Sequence, residues 1–216
     1  MGEATLKKVS YDEIMNMEKQ ERVHFANSLG GFKSVGLIGT QNNKNQTNLA
    51  IVDSILHIGS NPPLFGIVFR PGVLERHTLE NILETGFYTI NHINEKIHKQ
   101  AHQTSARYDR DCSEFDETGL IPEYKNDFFA PFVKESNVKL ALEFKEKITL
   151  SINNTILIIG EVKEVYFPED CLKKDGFLDI EKAASLTCSG LDSYHKTTRI
   201  SRLSYAKANK EIISII

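Results

Sequence analysis

The sequence predicts a mainly antiparallel β-barrel or sandwich with two or three helices outside it, and three observations carry that prediction. From Val138 to Phe144 apolar residues alternate in period two, and Ile148 and Leu150 continue the same parity. After the turn pair Asn153-Asn154 the chain returns as TILIIGEVKEVYF, with no room for a helical crossover, so the two runs pair antiparallel. Shorter apolar runs bounded by turn residues precede them at SVGLIG (34–39), LFGIVF (64–69) and FYTI (87–90).

Composition frames that prediction. With 216 residues, 40% hydrophobic and 25% charged, the chain can bury roughly 70% of its unfolded surface around one substantial core. Lys plus Arg number 26 against 29 Asp plus Glu, a formal charge of -3, and neither half is strongly basic. Neither nucleic acid nor an anionic membrane is therefore an expected partner. No apolar stretch approaches the ~20 residues of a membrane helix, and MGEATLKKVS has no signal-like apolar core, so a soluble, cytoplasmic protein is expected. Cys112, Cys171 and Cys188 are odd in number and form no CxxC, which argues against a disulfide scaffold or a thiolate metal site.

Residues 1–33 are polar and helix-capable from Tyr11 to Leu29, ahead of the Gly30-Gly31 break, and form an expected N-terminal appendage. The body is expected over 34–190, with 191–216 as a tail that contributes to a site or a subunit interface. After the first strand, TQNNKNQTN is a solvent-facing turn, and LAIVDSILHI (49–58) suits either strand or helix. Pro62-Pro63 interrupts, a strand follows over 64–69, and Thr78 is predicted to cap a short helix, TLENILETG, whose stripe is Leu79, Ile82 and Leu83 and whose stop is Gly86. A polar surface helix is expected between Asn94 and about Ala106. Residues 107–132 are loop-rich and acidic, and their aromatics Tyr108, Phe115, Tyr124, Phe128, Phe129 and Phe132 must cover something.

No Walker A, HExxH, GxSxG or GxGxxG motif occurs, so a nicotinamide cofactor would have to bind without a Rossmann fingerprint. His92, His98 and His102 are spaced by six and four residues with no completing ligand at short range, so no metal is expected. What stands out is an order: Gly39-Thr40 at a strand end, NLAIVDS from Asn48 to Ser54, Asn61-Pro62-Pro63, a strand ending in Arg70, then TLENILETGFYTIN from Thr78 to Asn91. This order resembles the flavin reductase-like family of FMN-binding split barrels, which includes the flavoredoxins. The resemblance spans about residues 33–165, and GLDSYHKTTRISRLSYAK near the end is similar to the tail of one subgroup.

The resemblance implies a mainly β, antiparallel split β-barrel of Greek-key type with peripheral helices, two subunits paired as a homodimer, and FMN in a groove between them. It implies hydride transfer from NAD(P)H to flavin and onward to an acceptor, with the nicotinamide stacked on the flavin. A flavoredoxin-like electron carrier and a flavin- or haem-binding domain without turnover are the alternatives. It places Asn48, Leu49 and Ala50 against the flavin ring and ribityl chain, with Thr40, Ser54 and Asn91 in the same cassette, and lets Tyr194, His195 and Lys196 reach over the flavin from the tail.

The chemistry of those residues agrees. A phosphate dianion needs a cation and short donors, which Arg70 and the hydroxyl and helix N-terminus at Thr78 can supply. Ala50 allows close approach of a flat ring, and Asn48 and Ser54 add hydrogen bonds. Each also has a plainer reading: Arg70 as an exposed strand-end arginine, Thr78 as an ordinary cap, Asn48, Ala50 and Ser54 as a turn exit and small packing residues, Asn91 as a strand terminator, and Tyr194 to Lys196 as a solvated loop. Ile51, Val52 and Asp53 stand where many reductases of the family carry a Ser/Thr-rich run, which implies fewer or differently supplied polar contacts.

Overall fold

The structure, a computed structural model, describes residues 5–72 and 76–215. The N-terminal segment holds two short helices, α1 (Tyr11–Asn16) and α2 (Lys19–Ser28), where one helix-capable stretch was expected. The break lies at Met17-Glu18; α1 begins with a reciprocal capping box between Ser10 and Glu13. Neither helix buries a residue, which fits their polar sequences.

Strands β1 (Lys33–Ser34), β2 (Gly36–Gln41), β3 (Thr47–Val52), β4 (Ile55–Ser60), β5 (Pro63–Phe69) and β6 (Phe87–His92) follow, with helix α3 (His77–Thr85) between the last two. The ambiguous 49–58 stretch is thus two strands, and Asn61-Pro62 forms the tight turn between β4 and β5. Helices α4 (His98–Gln103) and α5 (Glu114–Thr118) lead to a small ladder of β7 (Pro122–Glu123) and β8 (Phe132–Val133). The long hairpin is β9 (Lys139–Thr149) and β10 (Ile156–Tyr166), with Asn154 in the left-handed region at φ 58°. Finally β11 (Thr187–Ser189) and β12 (Ser193–His195) add to β1 in a three-stranded sheet.

The main sheet has the order β3-β2-β6-β9-β10-β5-β4, antiparallel throughout. Its edges, β3 and β4, are joined only through Asp53 and Ser54. Three Cα steps reach about 11 Å, whereas seven flat strands would span about 29 Å. The sheet must therefore curl until its edges meet without pairing, and that is a split barrel.

Two cores result. Inside the barrel, Ile38, Ile67, Tyr88, Leu142 and Ile158 pack together, and α3 closes one end with Leu79 and Ile82. Outside it, Leu37, Leu49, Ile93, Ile97, Ala101 and Phe115 pack under α4 and α5. Strand β2 serves both, so all six of its residues are buried and its sequence lacks alternation. Of the expected α3 stripe, Leu79 and Ile82 are buried and Leu83 is exposed. Phe115 and Phe132, from the 107–132 segment, are among the largest fully buried side chains, so that segment does supply core.

Candidate functional site

Because β3 is an edge strand, its outer rim needs partners, and these come from the 104–114 stretch. The Leu49 amide donates to Glu114 Oε2 at 2.8 Å and the Ile51 amide to Thr104 Oγ1 at 2.9 Å. Beside this rim lies a cavity of about 680 Å³, bounded by Asn48 and 50–53, the end of β5 at Arg70, the N-terminus of α3, Thr104 and residues 106–110. That volume suits a cofactor-sized ligand.

A buried relay fixes its floor. Asn48 Oδ1 accepts from Thr78 Oγ1 at 2.6 Å and from Thr40 Oγ1 at 3.3 Å, while its Nδ2 donates to Glu114 Oε2 at 2.6 Å. Asn81 Nδ2 donates to Thr40 Oγ1 at 3.1 Å, and Asn81 Oδ1 accepts from Arg110 Nη2 at 3.0 Å. Every member is committed, so Asn48 can present only one orientation to the cavity. Thr78 does not cap α3: Arg76 is the N-cap, and the Thr78 hydroxyl, in the first turn of the helix, is spent on Asn48.

Four guanidinium groups line this cavity, those of Arg70, Arg76, Arg107 and Arg110. Arg110 pairs with Glu80, and Arg70 Nη2 donates to Asn27 Oδ1 at 2.7 Å and lies 3.7 Å from Asp53 Oδ2. Arg107 forms no ion pair among the described residues. With the N-terminus of α3 beside them, these guanidinium groups form a donor set that matches a terminal phosphate. The fit to a flat ring along β3 is narrower, because the outward amides of Leu49 and Ile51 are already taken. A ring there would meet Asn48, the small Ala50 and backbone carbonyls.

The structure brings Asn48, Ala50, Arg70 and Thr78 onto one cavity and leaves the other candidates off its wall. Thr40 supports the floor from behind, and the Leu49 side chain points into the outer core. Ser54 donates to Asp53 Oδ1 at 3.1 Å. Asn91 is fully buried: it donates to Leu37 O and Thr89 Oγ1 and accepts from the Val133 amide. Tyr194 bonds His102 Nδ1 at 2.9 Å, and burial, helped by Cys188, Asp192 and Asp53, pushes its phenol up to about 12. His195 lies between Ser189 and Ser193, and Lys196 pairs with Glu95 at 2.5 Å. Glu114, Thr104, Arg76, Arg107 and Arg110 belong to the site and were not anticipated. Only the TLENI stretch beside Arg76 hinted at one of them; the other four come from irregular chain or a five-residue helix.

Fold and site together define a split barrel with a phosphate-suited pocket on its edge strand. Residues 32–183 match the family described as the flavin reductase like domain, and the chain belongs to that family. A split-barrel protein from Shewanella frigidimarina, assigned as a flavin reductase, is 50% identical, covering 93% of this chain and all of that one at a TM-score of 0.90. Nitrilotriacetate monooxygenase component B from Bacillus cereus shares the fold at 18% identity and a TM-score of 0.80, covering 93% of this chain and all of that one. Flavoredoxin of Desulfovibrio vulgaris does so at 23% identity and 0.68, over 83% of this chain and 92% of its own.

Proposed function

We propose that this protein binds FMN and works as an oxidoreductase of the flavin reductase class, taking hydride from NADH or NADPH and passing electrons to a free flavin, iron or a partner protein. The observation that carries this reading is the convergence of Asn48, Ala50, Arg70, Arg76, Thr78 and Arg107 on one cavity. When bound, FMN would supply the redox chemistry. The chain's part is to hold the phosphate through Arg70, Arg76, Arg107 and the α3 N-terminus, and to orient the ring with Asn48. No side chain needs to act as acid or base, which accords with the absence of a catalytic motif.

The proposal extends to a homodimer. Large apolar side chains stay exposed along the tail, among them Ile200 at 99%, between the anchors Arg199–Asp179 and Arg202–Asp175, and Tyr205 at 89%, beyond them. A second copy would cover them, and Tyr194 to Lys196 would then stand near the partner's site. Sedimentation with and without FMN tests this: FMN is expected to raise the dimer fraction.

The deciding experiment is absorbance between 350 and 500 nm of protein reconstituted with FMN, followed by anaerobic addition of NADH or NADPH. Bleaching of bound FMN is expected. Bound flavin that only dithionite reduces would favour the electron-carrier reading, and failure to retain any flavin would overturn the proposal. Arg70→Ala is expected to weaken FMN about tenfold, a modest loss because its guanidinium is half exposed and already shared with Asn27 and Asp53.

A further inference from the structure

A second cavity, of about 620 Å³, opens at the end of the barrel away from α3, between the strand ends and residues 178–197. It shares no lining residue with the arginine-lined pocket. Its walls are largely apolar, with Val35, Phe65, Leu140, Val162, Leu178 and Leu186 prominent.

Among the polar side chains on its lining, His92 continues the row that builds the barrel core. Along β6, Tyr88, Ile90 and His92 share the barrel-facing side by the period of two, so the row that builds the core ends in an imidazole at the mouth. His92 Nδ1 is bonded to Ser185 Oγ at 2.8 Å, and Nε2 has no hydrogen-bond partner among the described residues. Burial pushes the pKa of His92 down to about 4, so the ring is uncharged near neutral pH. The ammonium on the wall, Lys33, is already committed to Asp53 and to the Gly190 carbonyl. The lining carries no other Lys or Arg, and its second imidazole, His57, lies at the exposed end of the wall.

We propose that this chamber is a second binding site, distinct from the flavin pocket, for a neutral lipophilic molecule of one or two rings bearing a hydroxyl that bonds His92 Nε2. A hydroxyl both donates and accepts, so it satisfies that nitrogen in either tautomer. A concave, mostly apolar chamber with one fixed polar contact is the usual form of a small-molecule site. The proposal stands independently of flavin binding.

The probes are 1-naphthol and naphthalene, measured by equilibrium dialysis against the full chain in excess FMN. Saturable binding of one molecule per chain is expected. The preference for 1-naphthol over naphthalene is expected to fall about fivefold in His92→Phe, which keeps the apolar walls and removes the polar contact. Val165→Trp, at the partly exposed rim, is expected to weaken both probes at least tenfold by filling the space, and its fold is checked by an unchanged thermal midpoint. The proposal is overturned by absence of saturable binding, by displacement of the probes by FMN, or by full affinity in Val165→Trp. It is equally overturned if His92→Phe keeps the wild-type preference, or if probe binding disappears as rising protein concentration drives dimerisation, since a second copy would then be the occupant.

Discussion

The two cavities are nearly equal in volume, about 680 and 620 Å³, and opposite in chemistry. One lies outside the barrel along its open edge, where unpaired strand amides force polar side chains to gather. The other lies at the barrel mouth, where inward-facing positions of several strands end and only packing is missing. An open sheet edge recruits hydrogen-bonding groups, while an open barrel end leaves an apolar chamber. The same fold thus yields one pocket lined by fixed polar groups and one lined by apolar strand residues.

The largest expected effect separates them by pH. Burial holds the folded pKa of His92 at about 4 against an ordinary 6.5, so between those values the unfolded chain takes up the proton that the folded chain refuses. Stability from this group is complete above about pH 6.5 and is lost as pH falls toward 4, by at most about 3 kcal/mol. Urea titrations from pH 4 to 8 are expected to show this slope in the wild type and to lose it in His92→Phe. An unchanged slope would place the imidazole in contact with bulk water and make the chamber wetter than its walls suggest.

In the polar pocket the corresponding test is Glu114→Ala. Its carboxylate satisfies the Leu49 amide and the Asn48 side chain, both buried, and removal leaves two donors without an acceptor. A loss of about 2 kcal/mol in urea unfolding of the flavin-free protein is expected. FMN affinity should fall as well, because Asn48 is then held only through its carbonyl side by Thr40 and Thr78. A variant that loses flavin at full stability would make Glu114 part of the binding surface rather than of its frame.

The difference between the cavities also explains what was legible in the sequence. The Val138 to Tyr166 hairpin and α3 with its Gly86 stop are local patterns, and each lies where its spacing put it, whereas the 49–58 stretch, open between strand and helix in the sequence, forms two strands. Thr78 was read as a cap because capping is a local rule; its actual acceptor, Asn48, is 30 residues away. Glu114 meets Asn48 across 66 residues from a helix of five, a pairing that no periodicity encodes. The apolar chamber is built from one or two residues of each of seven strands and from irregular chain between them, each of which reads as ordinary core when taken alone. His92 was weighed only as a metal ligand, because its inward orientation follows from the register of β6 against β2 and β9.

The smallest effect concerns a group between the two sites. Tyr88 is fully buried in the barrel with its ring against Gly160, where an added Cβ would come within 2.2 Å of the hydroxyl. That hydroxyl has no hydrogen-bond partner among the described residues, and burial pushes its pKa up. A buried, unpaired hydroxyl is a cost that phenylalanine avoids while keeping the ring, so Tyr88→Phe is expected to gain up to about 1 kcal/mol in urea unfolding. Ordinary buried tyrosines bond through that hydroxyl and lose stability on the same change. A loss of stability would therefore reveal a partner for Tyr88, such as a buried water reached from the chamber side. The barrel interior would then be continuous with the His92 chamber in its polar contacts as well as in its walls. A gain would confirm a dry core between them and leave His92 as the polar anchor of that end of the barrel.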